Sequence, residues 1–458
     1  MRTHVSRLRR GVALWLLAAA AGLPAGGAHA QTLTDAFVST YNSNPDLLGQ
    51  RSRLRVVDET VSQALAGWRP VVRGQADFGF ERQDSSIRAG RPQDLRPRSY
   101  ALSVTQPIYR GGKTLAATRG AEADVRAERA VLTDREQSVL LAAVTAYSDV
   151  VRDDATVDLR RNNVRVLQEQ LDATNARFRV GELTRTDVSQ AESRLARSQS
   201  DLTAAEAQAA NSRATYQRVV GQRPGPRLQE APRMGTIPRS EDQAVALAIE
   251  NAPRTIAAKH RVTSAHYGID NAIADLLPTA QIVGLVSRGF DNQIKNDHLY
   301  SYSIVGQLTV PLYQGGGEYS RVRAAKQNYG QRRNELDSAR RQSAEAAIRA
   351  YRQFDAARAR VESLGTQVRA AAVALDGVRQ EAQVGSRTTL DVLNAEQELL
   401  DAQVQLVAAR RDLVVGHYAL LAETGQLTAR QLRLPVEYYD EERYYKNVRD
   451  SWFGLGTQ

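Results

Sequence analysis

The chain has no cysteine. That excludes disulfides, thiol chemistry, cysteine zinc sites and lipid-modified cysteine together. Large side chains are scarce: 458 residues include two Met, three Trp and 6% aromatics. Ala, Arg, Gln and Leu dominate instead, which suits long helices and thin seams more than a thick globular core. After residue 30 no run reaches about 18 consecutive apolar residues, so any membrane passage must be made by strands. The basic excess is not gathered into a stripe; it is spread over mixed Arg/Glu/Asp helix faces, and no nucleic-acid partner is expected.

Catalytic and cofactor signals are also thin. His260, His266, His298 and His417 lack metal-ligand spacing, and no Ser/His/Asp arrangement stands out. Arg110-Gly-Gly-Lys-Thr114 looks like half a phosphate loop, but Pro107 occupies the required first glycine position. It reads better as a strand-to-helix corner. No metal, no cofactor and no enzymatic activity are expected.

The first 30 residues form a secretory signal. Arg2, Arg7, Arg9 and Arg10 supply its charge, Val12–Ala21 its apolar segment, and Ala28-His29-Ala30 its cleavage site. Cleavage leaves Gln31 first and lowers the formal charge from +10 to +6, because those four Arg are lost.

The mature chain reads as one plan used twice. Asp35–Tyr41 is a short helix, and Asn44-Pro45-Asp46 restarts it as a longer one. Leu54, Val57, Val61 and Leu65 give that helix an apolar stripe until Pro70 ends it. Val71–Glu81 alternates Val72, Ala76 and Phe78 against Arg73, Gln75 and Asp77, the pattern of a two-faced strand. Gln83–Arg98 is a polar loop, Ser99–Thr105 a return strand closed by Pro107, and Gly111-Gly112 opens the next element. Lys113 to Arg179 contains no Pro, and Val150, Val157, Val164, Leu171 and Phe178 recur every seven residues. About 67 residues at 1.5 Å each make a helix on the order of 100 Å long. After Gly181, the residues Val188, Leu195, Leu202, Ala209 and Tyr216 recur the same way until Gly221.

The second half repeats this order. Pro45, Val61 and Pro70 match Pro253, Ile269 and Pro278 at an offset of 208. After the strands the offset is 204: Tyr109, Gly111 and Gly112 match Tyr313, Gly315 and Gly316, and Val150 and Val188 match Phe354 and Val392. The expected division is a signal peptide (1–30), a first repeat (31–221, hairpin 71–107), a Pro-rich connector (222–239), a second repeat (240–425, hairpin 279–311) and an aromatic-rich strap (426–458). In the second hairpin Tyr300, Tyr302, Ile304 and Leu308 share one face.

Four strands per chain cannot close a barrel, since about eight is the practical minimum. Open edges cannot stand in lipid, where unpaired backbone groups have no partner. The chains must therefore oligomerise, and three of them give twelve strands. The expected fold is an α+β membrane protein: a homotrimeric twelve-strand β-barrel continuing into a long α-helical coiled-coil barrel. With the signal and the amphipathic strands, this implies the outer membrane of a Gram-negative cell, with outer-membrane lipid around the strands.

The two tips, VGELTRTDVSQAE from Val180 and VGSRTTLDVLNAE from Val384, together with PIYRGG and PLYQGGG, resemble the TolC-type outer-membrane efflux and secretion channels. The resemblance runs over essentially the whole mature chain. It implies a passive duct that exports proteins or small molecules after docking with a periplasmic adaptor and an inner-membrane ABC or proton-driven transporter. The tail YYDEERYYKNVRDSWFG is similar to members serving type I protein secretion, which is slightly favoured over drug efflux. The resemblance also implies site roles. Val180, Gly181, Thr184, Val384, Gly385 and Thr388 would dock the adaptor, at six near-equivalent points per trimer. Asp187 and Arg387 would tie the hairpins shut, and Asp391 would ring the entrance. Two positions depart from the family pattern: Asn394 stands where a second acid ring is common, and Ala382 where some members carry a gating Tyr. The competing reading is a soluble periplasmic coiled-coil scaffold or adaptor.

Overall fold

The computed structural model describes residues 31–84 and 92–456. The expected signal segment lies outside the described residues, as do 85–91 within the first strand loop and the last two residues of the strap.

Two short helices, α1 (Leu33–Ser43) and α2 (Pro45–Leu65), meet at Asn44, whose side chain accepts from the amides of Asp46 and Leu47. Pro45 takes the first helical position, where no N–H is needed. α2 ends at Leu65, and a 3-10 turn over Ala66–Trp68 carries the chain to β1 (Val71–Phe78). The expected strand Val71–Glu81 breaks after Phe78, and a small ribbon of β2 (Glu81–Gln83) and β3 (Gln93–Leu95) reaches into the segment expected as a plain loop. β4 (Arg98–Arg110) is longer than the expected Ser99–Thr105, because Pro107 does not close it. β1 pairs with β4 only over Arg98–Thr105, and the β4–β5 register shifts between Pro107 and Tyr109. The missing proline N–H thus falls on a bulge beyond the reach of β1, where it breaks no bond on that side.

α3 (Lys113–Arg179) and α4 (Arg185–Val220) form the first long hairpin. After an irregular connector come α5 (Glu241–Asn251), α6 (Pro253–Ala274), β5 (Thr279–Phe290) and β6 (His298–Thr309). The second long hairpin is α7 (Gly317–Gln383) and α8 (Thr389–Glu423), and a last short helix, α9 (Arg443–Val448), follows. Each of the two long helices has 67 residues, about 100 Å. Among the described residues no helix is long and apolar enough to cross a membrane.

The main sheet is antiparallel in the order β1-β4-β5-β6. The pairings Ala76↔Tyr100, Tyr100↔Arg288, Leu102↔Val286 and Val286↔Tyr302 define one face. It carries Val72, Phe78, Tyr100, Leu102, Val104, Tyr302, Ile304 and Leu308, all exposed. The opposite face carries Arg73, Gln75, Asp77, Ser103, Gln281, Ser301, Ser303 and Gln307, as strict alternation requires.

At the foot of β4 the chain turns sharply into α3 through Gly111 and Gly112, both with positive φ. A Cβ on Gly111 would lie 2.7 Å from the Ala274 carbonyl oxygen, so only glycine lets the two halves approach here. Lys113 Nζ lies 2.6 Å from Asp275 Oδ1 and ties α3 to the end of α6. The lysine of the apparent phosphate loop is therefore part of a strand-to-helix corner.

The thickest core lies midway. Leu33, Phe37, Leu47 and Leu54 of α1 and α2 pack there with Leu140, Val144, Tyr147 and Val150 of α3, Tyr216 of α4, Tyr418 of α8 and Leu427 and Leu434 beyond it. Toward the hairpin ends only a thin seam remains, of Leu167, Leu171, Ala191, Leu195 and Leu393.

Candidate functional site

The far ends of the two hairpins are near copies. α3 runs out at Val180 and α7 at Val384, and the next residues, Gly181 and Gly385, take φ of +83° and +82°. The Gly181 amide donates to the Phe178 carbonyl and the Glu182 amide to that of Arg177, both at 3.0 Å. Gly385 and Ser386 repeat this with Ala382 and Glu381, at 3.2 and 3.0 Å. This double closure satisfies the last carbonyls of each helix and needs a left-handed residue, hence glycine. Val180 and Val384 project into solvent, 71% and 81% exposed.

The returning helices start with matched capping boxes. The Thr184 amide donates to Asp187 Oδ2 at 2.9 Å, and the Asp187 amide donates back to Thr184 Oγ1 at 3.3 Å. Thr388 and Asp391 do the same at 2.9 and 3.2 Å. Each box satisfies two orphan donors reciprocally. The Thr184 hydroxyl, followed by its amide, holds the Asp187 carboxyl below the usual carboxylate range. For Asp391 the Thr388 amide acts first, then the hydroxyl, with a smaller pull from Arg387. Both acids are thus ionised anions at the N-terminus of a helix.

Within the chain Arg387 and Asp187 do not meet. Arg387 Nε lies 2.8 Å from Glu381 Oε2, in its own hairpin. The first tip has the same brace with the signs exchanged: Arg177 Nε lies 3.0 Å from Glu182 Oε2. At the 204-residue offset Glu381 falls on Arg177, so the two braces share the helix position and differ in which partner is basic. Asn394 is not idle either. Its Oδ1 accepts from Arg194 at 2.9 Å, joining α8 to α4 across the two hairpins. Two turns inward, Arg379 Nη2 lies 2.9 Å from Glu396 Oε1, whose side chain is 7% exposed. Further along, Arg411 reaches from α8 to Asp149 of α3 at 2.8 Å. Sequence reasoning missed Arg194, Glu381, Glu396 and Arg411. Comparing the charges of the two repeats position by position would have found Glu381; the cross-hairpin contacts leave no local signal.

The tips hold no catalytic constellation. They offer two small apolar knobs, two hydroxyl–carboxylate pairs, and ion pairs that can exchange partners at little cost, since exposed pairs are worth about 0–1 kcal/mol.

The profile described as Outer membrane efflux protein matches residues 38–222 and 244–426, each segment holding one of the two hairpins. The chain belongs to that family. Outer membrane efflux protein BepC of Brucella suis is 36% identical over 97% of this chain and 96% of its own length. Alkaline protease secretion protein AprF of Pseudomonas aeruginosa is 27% identical over 73% of this chain and 70% of its own. The Campylobacter jejuni CmeC outer membrane channel shares the fold, with a TM-score of 0.79 at 15% identity, covering 92% of this chain and 90% of that one. The family's proteins are outer-membrane efflux channels and not enzymes, and they work with periplasmic adaptors and inner-membrane transporters. This chain is an outer-membrane member, and the soluble-scaffold reading falls.

Proposed function

We propose that three copies of the chain close a twelve-strand barrel and form the passive exit duct of a tripartite exporter. The observation that carries this is the four-stranded sheet with two open edges. Three antiparallel steps separate β1 from β6, so the edges run in opposite directions. The β6 edge of one copy therefore offers the β1 edge of the next an antiparallel partner, and three such joints leave no edge in lipid. The aromatic face meets the acyl chains and the Ser/Gln/Arg face lines water. Beneath it, the hairpins of three copies make the α-helical tunnel.

In this assembly the six tips are the adaptor-docking points, through Val180, Gly181 and Thr184 and through Val384, Gly385 and Thr388. Asp187, Arg387, Asp391 and Asn394 form the gate. Three Asp391 carboxylates around one axis repel each other and attract cations. Light scattering of the detergent-extracted protein is expected to give three chains per particle, and planar bilayers should show discrete conductance steps. A monomer without conductance would remove the barrel.

A protein cargo delivered by an ABC transporter is the favoured substrate. The aromatic tail supports it, as do relatives named for protease secretion, AprF and PrtF of Dickeya chrysanthemi. Small-molecule efflux is the second reading, favoured by the name of the Brucella suis relative. A deletion strain separates them: loss of one secreted protein from the medium supports the first, and increased drug susceptibility with an unchanged secretome supports the second.

A further inference from the structure

The tail after α8 has two parts with opposite exposure. Its first part runs along the end of α1 and then along α2. The Tyr439 amide donates to the Tyr41 hydroxyl at 3.0 Å, and its ring lies 5.1 Å from the Arg51 guanidinium. About two turns higher, the Tyr444 hydroxyl donates to Glu59 at 2.7 Å. At the top, Arg69 donates to the Ser451 carbonyl at 2.6 Å, and its guanidinium stands 5.4 Å from the Trp452 ring. Arg69 lies two residues before β1, so this clamp delivers the tail to the foot of the sheet.

The second part then points away from protein. Trp452 is 58% exposed, Phe453 90% and Leu455 fully exposed, whereas Tyr439, Tyr444 and Tyr445 are half-buried. Trp68, 41% exposed, sits at the same level, its carbonyl held by the Gln106 side chain at 2.9 Å. Arg69 donates to backbone carbonyls and pairs with no carboxylate among the described residues, so no protein anion offsets its charge. Exposed tryptophan and phenylalanine beside an unpaired arginine, at the edge of an apolar sheet face, match the chemistry of the bilayer headgroup layer.

We propose that Trp452-Phe453-Gly454-Leu455 is an interfacial anchor seated in the periplasmic leaflet of the outer membrane, locking the strap and α2 to the lipid at the barrel foot. This rests on the barrel reading above. Lipid is favoured over a second copy because exposed aromatic rings stand beside a cationic arginine at the start of the strand that carries the apolar face. The anchor surrounds the barrel from below and leaves the tunnel itself untouched.

Removing residues 1–30 leaves Trp68 and Trp452 as the two tryptophans. A Trp68→Phe variant of the mature protein, purified from outer membranes, therefore reports on Trp452 alone. In vesicles whose phosphatidylcholine is brominated near the top of the acyl chains, its emission is expected to be blue-shifted and to fall by about half or more relative to unbrominated vesicles. Emission characteristic of water, quenched by acrylamide, overturns the anchor. So does a blue-shifted emission that bromine leaves unchanged, since the ring then packs on protein. Should Trp68→Phe fail to assemble, the cysteine-free chain takes Phe453→Cys labelled with bimane, read against nitroxide lipids with the same outcomes. Vesicle flotation separates the two readings. A protein that does not float removes both the barrel and the anchor; one that floats with an unquenched reporter removes the anchor alone.

Discussion

At each tip, one glycine and one Thr/Asp pair decide where a helix of 67 residues stops and the next begins. Because Asp187 and Asp391 serve their own capping boxes, their charge is held by the hairpin itself. Arg387 is held by Glu381 alone on the surface, a weak link that can be exchanged. Arg387→Ser and Asp187→Ala are each expected to raise single-channel conductance in planar bilayers; unchanged conductance in both removes the gate assignment. Asp58 presents a different case. It is 1% exposed, and neither carboxylate oxygen has a hydrogen-bond partner among the described residues. Burial pushes its carboxyl up to about 6, with Glu59 and Glu441 adding and Arg129 and Arg55 opposing. The folded pKa is raised, so the unfolded chain ionises first. Stability is lost as pH rises from the ordinary value of 3.8 toward 6, then levels off. Asp58→Asn is expected to raise Tm at pH 7.5 and leave it nearly unchanged at pH 4; a pH-independent effect would mean simple repacking.

At the scale of elements, the seams are thin and the connector is what thickens them. The Tyr418 hydroxyl of α8 donates to the Pro232 carbonyl at 2.7 Å and accepts from the Met234 amide at 3.2 Å, while His417 Nε2 lies 2.8 Å from the Met234 carbonyl. The Tyr147 hydroxyl of α3 reaches the Gln229 carbonyl at 2.7 Å. These contacts pin an irregular, Pro-rich stretch across both hairpins. Tyr418→Phe strands a part-buried amide and is expected to cost about 1–3 kcal/mol, read as a lower urea midpoint with an unchanged m-value. The heptad positions show how packing varies along one helix. Val150 is 1% exposed, Leu171 is 9%, and Phe178 at the tip reaches 41%. The same sequence period thus runs from a full core to a thin seam that fades toward the tip.

The whole molecule is incomplete as one chain. Its sheet has two open edges and a large exposed apolar face, and many seam residues, among them Leu202, Val361 and Leu413, are only half-buried. The proposed trimer would resolve all three features at once. Processing belongs to this scale too: the intact mass of protein from outer membranes is expected to correspond to a chain starting at Gln31, and a mass retaining residues 1–30 would contradict the signal reading.

The sequence by itself determined the period, the repeat and the turns. Glycine at positive φ, proline at helix starts and alternation in strands act over a few residues, so their spacing carries the elements and the tip chemistry of Thr184/Asp187 and Thr388/Asp391. The tertiary structure decided which groups meet. Arg194 finds Asn394 about 200 residues away, Arg411 finds Asp149, and Pro107 is absorbed into a bulge because β1 starts two residues too late to oppose it. Arg387 turns to Glu381 in its own hairpin, since within one chain no packed element brings Asp187 to it. Such pairings depend on how the long helices are set against each other. Side chains far apart in the chain set that geometry together, and no local pattern records it.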